Sequence, residues 1–305
     1  MKRALVLAGG GSRGAFQAGA IDYLVNKTGL DFNVFYGTSV GALNASILGQ
    51  ARNFRELTEQ VNALNNLWLG IEGNSSIYQS GFLDVFNLLF RDSLYYPKGL
   101  RKLLKEYVDP NRLCHNPAKY IKVATVAIET GELFFADSRN PNLTAEILDY
   151  ILASASIPPF FPPVHIQQKH WYDGGLRDVT PLGAAFKEHP DEIVIILPFL
   201  IDEQFHPVIP HVSYGNLIQS LLRAVGIMSN EISANDLQLA RIINQYHRLF
   251  PGKRQIPIYI IAPKTPLEGE ILDFSPEAIR ANIKKGYESA HSPISISQIT
   301  SKKFA

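Results

Sequence analysis

The sequence predicts a three-layer α/β/α fold, in which helices cover both faces of a mostly parallel central sheet. In the first 50 residues, short apolar runs typical of strands alternate with segments of helical spacing, and this order favours parallel strands joined by crossover helices. The 305 residues are 46% hydrophobic and 19% charged, which is ordinary for a protein with a sizeable core. Because no linker or internal repeat divides the chain, we expect one domain spanning residues 1–305.

The N-terminal elements follow from the spacing of apolar residues. The first apolar run is about as long as a strand and ends in a glycine-rich turn. In the segment after it, Phe16, Ile21 and Val25 recur at helical spacing. The predicted elements are a strand at 4–8, a helix at 15–27, a strand at 32–36, helices at 41–51 and 53–68, and a helix at 100–108. Residues 70–96 have no clear assignment.

The later elements are predicted from the same patterns and from capping residues. They are two hairpin strands at 121–128 and 133–136, a helix at 144–155, a strand at 192–200, a helix at 211–250, a strand at 256–262 and a helix at 276–287. We expect Thr144 to cap the helix at 144–155, and Ser275 to cap the last helix with Pro276 at its first position. The helix at 211–250 is expected to break near Gly226.

Composition and charge exclude several functional classes. The formal net charge of +1 gives no strong field for recruiting nucleic acid. Cys114 is the only cysteine, so no intrachain disulfide can form, which fits a reducing compartment. The apolar run near the N-terminus is too short for a secretory signal, and no run reaches the length of a membrane span. We expect a cytoplasmic protein with room for peripheral membrane contact, and the oligomeric state is not predicted.

The first motif with chemical meaning is Gly-Thr-Ser-Val-Gly at 37–41. A G-x-S-x-G pattern between a strand and a helix is typical of the nucleophile elbow, a cramped turn that exposes its serine. Gly37 and Gly41 permit the turn, and the helix N-terminus places partial positive charge near the hydroxyl. A serine attacks well only when a base takes its proton. The pattern therefore predicts Ser39 as a nucleophile that needs a partner.

The second motif is the glycine loop at 9–14, Gly-Gly-Gly-Ser-Arg-Gly. Its consecutive glycines allow backbone N–H groups to converge on a developing oxyanion. A tight turn with no ligand is the simplest alternative. Another is dinucleotide binding, which uses G-x-G-x-x-G at the start of a helix and an acidic residue about 20 residues later. Asp31 has that separation, but it precedes the second strand instead of ending it, which disfavours this interpretation.

The third motif, Asp173-Gly174-Gly175, supplies a carboxylate flanked by glycines. Such a sequence is often only a turn, but Asp173 can act as the base if it reaches Ser39. A Ser–His–Asp triad is the alternative, with five downstream histidines as candidates: His189, His206, His211, His247 and His291. None of them lies in a glycine-flanked loop. No cluster has metal-ligand spacing, so neither a metal nor a cofactor is predicted.

Taken in order, the three motifs resemble those of the patatin-like phospholipase family. The segments at 153–158 and 161–164 are also similar to that family, and the resemblance spans about residues 4–186. It implies a patatin-like fold whose core covers that range, followed by an extension over about 187–305. It also implies a serine acyl-ester hydrolase acting on lipid or acyl-ester substrates through an acyl-enzyme. The alternative is a protein of the same fold that binds or regulates with little turnover.

The resemblance also implies roles for individual residues. Ser39 would be the nucleophile and Asp173 the proton acceptor of a catalytic dyad. The oxyanion hole would be formed by Gly9, Gly10 and Gly11, with Ser12 as a further candidate. Arg13 would hold the loop or meet a phosphate head group, and its alternative role is a structural salt bridge. The supporting positions of the motifs are Gly14, Gly37, Gly41, Gly174 and Gly175.

An aromatic-rich segment at 81–96 is the candidate for membrane contact. Its Phe and Leu residues could form a lid near the acyl site or a surface that touches a membrane transiently. Ordinary core packing is the alternative for this segment.

Overall fold

A computed structural model describes residues 1–80, 93–209, 215–249 and 254–296. Within these ranges there are eleven strands: β1 (Arg3–Leu7), β2 (Val34–Gly37), β3 (Gln79–Ser80), β4 (Tyr95–Tyr96), β5 (Tyr120–Ala127), β6 (Glu132–Asp137), β7 (Val164–Ile166), β8 (Lys169–Asp173), β9 (Glu192–Ile196), β10 (Ile258–Ile261) and β11 (Ile294–Ser295). The same ranges contain nine α-helices: α1 (Gly14–Asp22), α2 (Val40–Leu48), α3 (Phe54–Leu69), α4 (Lys98–Tyr107), α5 (Pro110–Cys114), α6 (Ile147–Ser154), α7 (Leu182–Lys187), α8 (Leu217–Gln245) and α9 (Pro276–Ser289).

The central sheet is parallel in its middle and antiparallel at its edges. Its order is β11-β10-β9-β1-β2-β5-β8-β7, and β6 also pairs with β5. The five strands from β10 to β5 are parallel to one another, whereas β6, β7, β8 and β11 pair antiparallel. Strands β9, β10 and β11 show that residues beyond 187 extend the same sheet. β3 and β4 form a separate two-stranded sheet.

Apolar side chains fill the space on both faces of the sheet. Successive residues of a strand point to opposite faces, and β1 is almost completely buried. Leu5 and Leu7 pack into the core beneath α1, α2, α3 and α9, whereas Ala4 and Val6 pack into the core beneath α7 and α8. Burial on both faces is characteristic of parallel sheets with crossover helices. The predicted three-layer α/β/α fold is confirmed.

Two local predictions need correction. α8 runs unbroken through Gly226, because one glycine costs a helix only about 1 kcal/mol and the packing of Leu222 and Leu237 outweighs it. Thr144 does not cap a helix. Its hydroxyl donates to the Pro141 carbonyl in a preceding 3₁₀ turn, and α6 begins only at Ile147. The strands β7 and β8 were not predicted at all.

Other local predictions are confirmed. β5 and β6 form the expected antiparallel hairpin. The first helix continues beyond α1 as a π-helical turn, Tyr23–Lys27, so that it ends where the apolar spacing ends. Pro276 is the first residue of α9, as predicted. Ser275 occupies the N-cap position, but its side chain makes no capping hydrogen bond, so its predicted capping role is not confirmed. Residues 81–92, which hold most of the proposed lid or membrane-contact segment, lie outside the described residues.

The pairing of β2 and β8 with β5 determines where Ser39 and Asp173 lie along the sheet. Gly37 pairs with Val123 on β5, and Ser39 follows two residues later. On the other side of β5, β8 runs antiparallel to it and ends with Asp173 opposite Thr125. Thr125 also lies two residues beyond Val123. Ser39 and Asp173 therefore lie at a similar level along the direction of β5. None of the helices in the described ranges is long and apolar enough to cross a membrane.

Candidate active site

Ser39 stands on a strained turn between β2 and α2. Its backbone has φ 57° and ψ −128°, a conformation that a non-glycine residue rarely adopts. Such strain costs on the order of 1–3 kcal/mol and is typical of functional sites. The Ser39 N–H donates to the Ser154 hydroxyl at 3.0 Å, which ties the turn to the end of α6. Ser39 is only 5% exposed, so its hydroxyl faces a pocket instead of bulk solvent.

The two glycines of the elbow are required by close packing. A Cβ on Gly37 would lie 2.5 Å from the Gly41 backbone, and a Cβ on Gly41 would lie 2.1 Å from the Leu7 carbonyl oxygen. Both distances are far below any normal contact. The elbow can therefore fold over the end of β1 only with glycine at both positions.

The glycine loop presents two unpaired N–H groups beside Ser39. Those of Gly10 and Gly11 donate to no acceptor in the described parts of the chain, and Gly11 has a positive φ of 58°. The Ser12 N–H donates to the Ile271 carbonyl at 2.9 Å, so it is not free to donate to an oxyanion.

The prediction that Gly9 is an oxyanion donor is wrong. Its N–H donates to the Val179 carbonyl at 3.0 Å and is therefore occupied. Gly9 instead allows the glycine loop to pack closely against Ser39, because a Cβ on Gly9 would lie 3.2 Å from the Cβ of Ser39.

Asp173 is a buried carboxyl at the end of β8. It is 2% exposed, and its Oδ1 accepts a hydrogen bond from the Gly175 N–H at 2.7 Å. Burial raises its pKa to about 7, and the Ser39 hydroxyl and the Gly175 N–H oppose that rise by stabilising the charged form. The next residue, Gly174, packs against β5, where a Cβ would lie 2.4 Å from the Ala124 carbonyl oxygen.

The contact between Ser39 and Asp173 is electrostatically significant but falls short of a well-aligned hydrogen bond. The Ser39 hydroxyl is close enough to lower the Asp173 pKa, yet Oδ2 has no hydrogen-bond partner with good geometry among the described residues. A buried unpaired carboxylate oxygen is costly and therefore calls for explanation. Among the described residues, Oδ2 is therefore free to accept one more hydrogen bond.

Arg13 forms no ion pair with any described carboxylate, which removes the structural salt bridge as its role. One long hydrogen bond joins its Nη2 to the Gly269 carbonyl at 3.4 Å, and its buried Nε has no partner. Burial lowers the pKa of Arg13, and the nearby Glu270 carboxylate opposes this change.

Gly14 allows α1 to approach α2, since a Cβ there would lie 2.2 Å from a Val40 methyl group.

Two cavities meet at Ser39. The first, of about 750 Å³ including its open mouth, is almost entirely apolar and is lined by α2, α3, α4 and the side chains of Leu272 and Phe274. The second, of about 830 Å³, is lined by Asp173, Gly10, Gly11, Arg13 and one face of α8. The α8 residues Val225 and Met228 border this second cavity, and nothing in the local sequence indicates it.

The alternatives from the sequence gain no support in the described residues. His189, His206, His247 and His291 line neither cavity, and His211 lies outside the described ranges. Asp31 pairs with the buried Lys119 and does not border the glycine loop. No group of three or more described His, Cys, Asp or Glu side chains is arranged to hold a metal ion.

Comparison with known proteins relates this chain to one family. The family model described as patatin-like phospholipase matches residues 5–186. The uncharacterized protein YjjU of Escherichia coli (strain K12) is 24% identical over 299 residues, a match that covers 93% of this chain and 74% of YjjU.

Two solved structures are similar over most of this chain. VipD from Legionella pneumophila has a TM-score of 0.45 at 13% identity, covering 95% of this chain. The type III effector protein ExoU has a TM-score of 0.33 at 12% identity, covering 96% of this chain. The chain spans 66% of the VipD structure and 54% of the ExoU structure.

Proposed function

Because the chain belongs to the patatin-like phospholipase family, we propose that it hydrolyses acyl esters of lipids through a dyad of Ser39 and Asp173. The observation that carries the proposal is the buried Asp173 carboxyl, which lies beside the elbow serine with one oxygen unpaired. None of the described histidines lines the cavities at Ser39, so the carboxyl is the base within reach.

In the proposed reaction, Asp173 moves one proton between Ser39 and the leaving group. The Ser39 oxygen attacks the ester carbonyl while its proton passes to Asp173. The protonated Asp173 then gives that proton to the departing alcohol, which leaves an acyl group on Ser39. Water, deprotonated by Asp173, attacks the acyl-enzyme and releases the fatty acid, and the proton returns to Ser39.

The tetrahedral oxyanion would be held by the N–H groups of Gly10 and Gly11. Both are unpaired in the described structure, and the positive φ of Gly11 turns the backbone where a Cβ would collide with the Ile271 carbonyl at 1.9 Å. Fixed donors aimed at a developing charge are typically worth about 3–4 kcal/mol each. Arg13 lines the same cavity and is the group best suited to a phosphate head group.

The apolar cavity is suited to the acyl chain. Five residues of α2 line it, and four of them lie at helical spacing: Val40, Leu43, Asn44 and Ile47. From Ser39 to Ile47 the helix rises about 12 Å, so the cavity extends along a path that suits an extended hydrocarbon. Asn44 and Ser46 are the polar members of this set. The Asn44 side chain is already bonded to Gly14, Gln17 and Trp68, and the Ser46 hydroxyl donates to the Leu43 carbonyl, so neither side chain needs a polar partner in the cavity.

Replacing Ile47 with Phe is expected to shift selectivity towards short esters. The larger ring fills the part of the cavity farthest from Ser39 along α2, and each methylene that loses burial costs about 0.8 kcal/mol. We expect kcat/KM for a long-chain ester to fall at least about tenfold relative to a butyrate ester. The control is Ile47→Leu, which conserves volume. Equal effects of Ile47→Phe on both esters would contradict the assignment of this cavity to the acyl chain.

The pH dependence of hydrolysis tests Asp173 as the base. Only the ionised carboxylate can take a proton, and its pKa is about 7. We therefore expect kcat/KM for an uncharged soluble ester to reach a plateau above about pH 7. Below it the value should fall about tenfold per pH unit as the carboxylate becomes protonated.

A matched control separates Asp173 from other buried acids. Burial raises the pKa of Asp236 to about 7 as well, with a contribution from Asp178, but Asp236 does not line the cavity at Ser39. The variant Asp236→Asn should keep the wild-type profile. A profile that is flat between pH 5 and 8, or that changes with Asp236→Asn, would count against Asp173.

A further inference from the structure

The helix α4 separates the apolar cavity from a cationic outer surface. Leu100, Leu103, Leu104 and Tyr107 follow one another at i, i+3, i+4 and i+7, and all four line the cavity. A second stripe with the same spacing begins two residues earlier and consists of Lys98, Arg101, Lys102 and Lys105, all of which are exposed. Two residues correspond to a rotation of about 200°, so the two stripes lie on opposite sides of the helix. We call the second stripe the cationic face.

The positive charge of the cationic face is largely uncompensated. Arg101 makes one long contact, 3.5 Å, with Asp149 on α6. The three lysines form no ion pair with any carboxylate in the described parts of the chain, and Glu106 is the one acidic residue of α4. The whole protein has a net charge of only +1, so this excess is local to the surface behind the acyl cavity.

We propose that the cationic face of α4 docks the protein on an anionic lipid surface. The inference rests on the proposed lipid hydrolysis at Ser39, because that reaction needs a source of acyl chains beside the apolar cavity. Lys98 and Lys105 are about 10 Å apart along the helix axis, a span over which a lipid surface offers several head groups. Amphipathic helices with basic polar faces are attracted to anionic lipids, and each Lys or Arg near such a surface contributes about 1 kcal/mol.

The arrangement explains why both stripes occur on one helix. The apolar stripe forms part of the wall of the cavity that begins at Ser39, and the cationic face is the outer side of the same wall. Docking through this face therefore holds the acyl cavity next to the lipid surface. Ionic attraction of this kind between exposed charges weakens as salt rises.

Vesicle binding by the full chain tests the proposal. A Ser39→Ala background keeps the lipids intact, and the probes are phosphatidylcholine vesicles with and without phosphatidylglycerol. The test variant carries Lys98→Gln, Lys102→Gln and Lys105→Gln. Its control carries the same charge change on three exposed lysines of other elements, Lys27→Gln, Lys264→Gln and Lys284→Gln.

We expect binding only when phosphatidylglycerol is present, and weaker binding at higher salt. Each lysine lost should weaken vesicle binding about fivefold, so the α4 triple variant should bind roughly 100-fold more weakly than the wild type. The vesicle affinity of the control variant should change only a few-fold. Replacing the same three lysines with arginine should restore binding. Equal losses in the α4 and control variants, binding that ignores phosphatidylglycerol, or tighter binding to a duplex RNA than to the vesicles would each overturn the proposal.

Hydrolysis of a soluble butyrate ester separates this proposal from the proposed function. With Ser39 intact, the α4 triple variant should hydrolyse that ester at the wild-type rate, since the three lysines line neither cavity. Ser39-dependent hydrolysis without vesicle binding would defeat the docking proposal alone. Lysine-dependent vesicle binding without Ser39-dependent hydrolysis would defeat the proposed function alone.

Discussion

Replacing Ser39 with Ala is expected to lower kcat/KM for a soluble acyl ester by at least about 10⁴-fold. The change removes the one hydroxyl on the elbow that faces Asp173, while the Ser39 N–H keeps its bond to the Ser154 hydroxyl. Alanine occupies less space than serine, so the packing with Gly9 is preserved. The loss should therefore appear in turnover and not in folding, as judged by the thermal unfolding midpoint.

A matched control is Ser289→Ala, another buried serine that lies on α9 and lines neither cavity. Its activity should remain within a few-fold of the wild type. If Ser39→Ala retained most of the activity in a folded protein, the nucleophile would have to be another group. Weak hydrolysis in the wild type that Ser39→Ala leaves unchanged would favour a binding or regulatory protein of the same fold.

Replacing Asp173 with Asn is expected to lower the rate by about 10²–10⁴-fold, which is the usual contribution of a general base. The amide has nearly the same shape and can still accept the hydrogen bond from the Gly175 N–H. It cannot take a proton from Ser39, so the rise of activity with pH through about 7 should disappear from the residual rate. Measurement of kcat/KM from pH 5 to 9 checks both effects.

The same substitution is expected to stabilise the protein at high pH. In the fold, Asp173 holds its proton up to about pH 7, whereas the unfolded chain releases it near the ordinary value of 3.8. Between these two pH values the unfolded state binds fewer protons, so the free energy of unfolding falls as pH rises, and the cost is complete above pH 7. Asn avoids this cost, which is at most about 4 kcal/mol for a shift of this size.

Urea unfolding at two pH values checks this stability effect. Asp173→Asn should be more stable than the wild type at pH 8, and the difference should vanish below about pH 4, where the wild-type carboxyl is neutral in both states. An Asn variant that is less stable at pH 8 would mean that Asp173 is ionised at little cost in the fold. The pH profile of activity would then need another explanation.

The elbow could be predicted from sequence because its determinants are local. Gly37 and Gly41 lie within two residues of Ser39, and the strand before them and the helix after them have clear apolar patterns. The parallel core of the sheet was predictable for a similar reason, since strands and crossover helices alternate along the chain. These features depend on neighbours in sequence, which a single sequence shows.

The features that the sequence missed depend on long-range contacts. Gly9 looked like an oxyanion donor because its neighbours are glycines, but its N–H is taken by Val179, which is 170 residues away. β8 is short and pairs with β5, so no periodicity in its own five residues marks it as a strand. The position of α8 against the cavity likewise depends on tertiary packing that its own residues do not encode.

The most direct test of the Ser39–Asp173 dyad is covalent labelling with a fluorophosphonate, followed by mass analysis of the digested protein. A fluorophosphonate reacts with a serine whose proton is taken by a base, so we expect one adduct on the peptide that contains Ser39. The rate of labelling should fall at low pH and in Asp173→Asn, and Ser39→Ala should take no label. Labelling of another residue, or labelling of Ser39 at an unchanged rate in Asp173→Asn, would contradict the dyad.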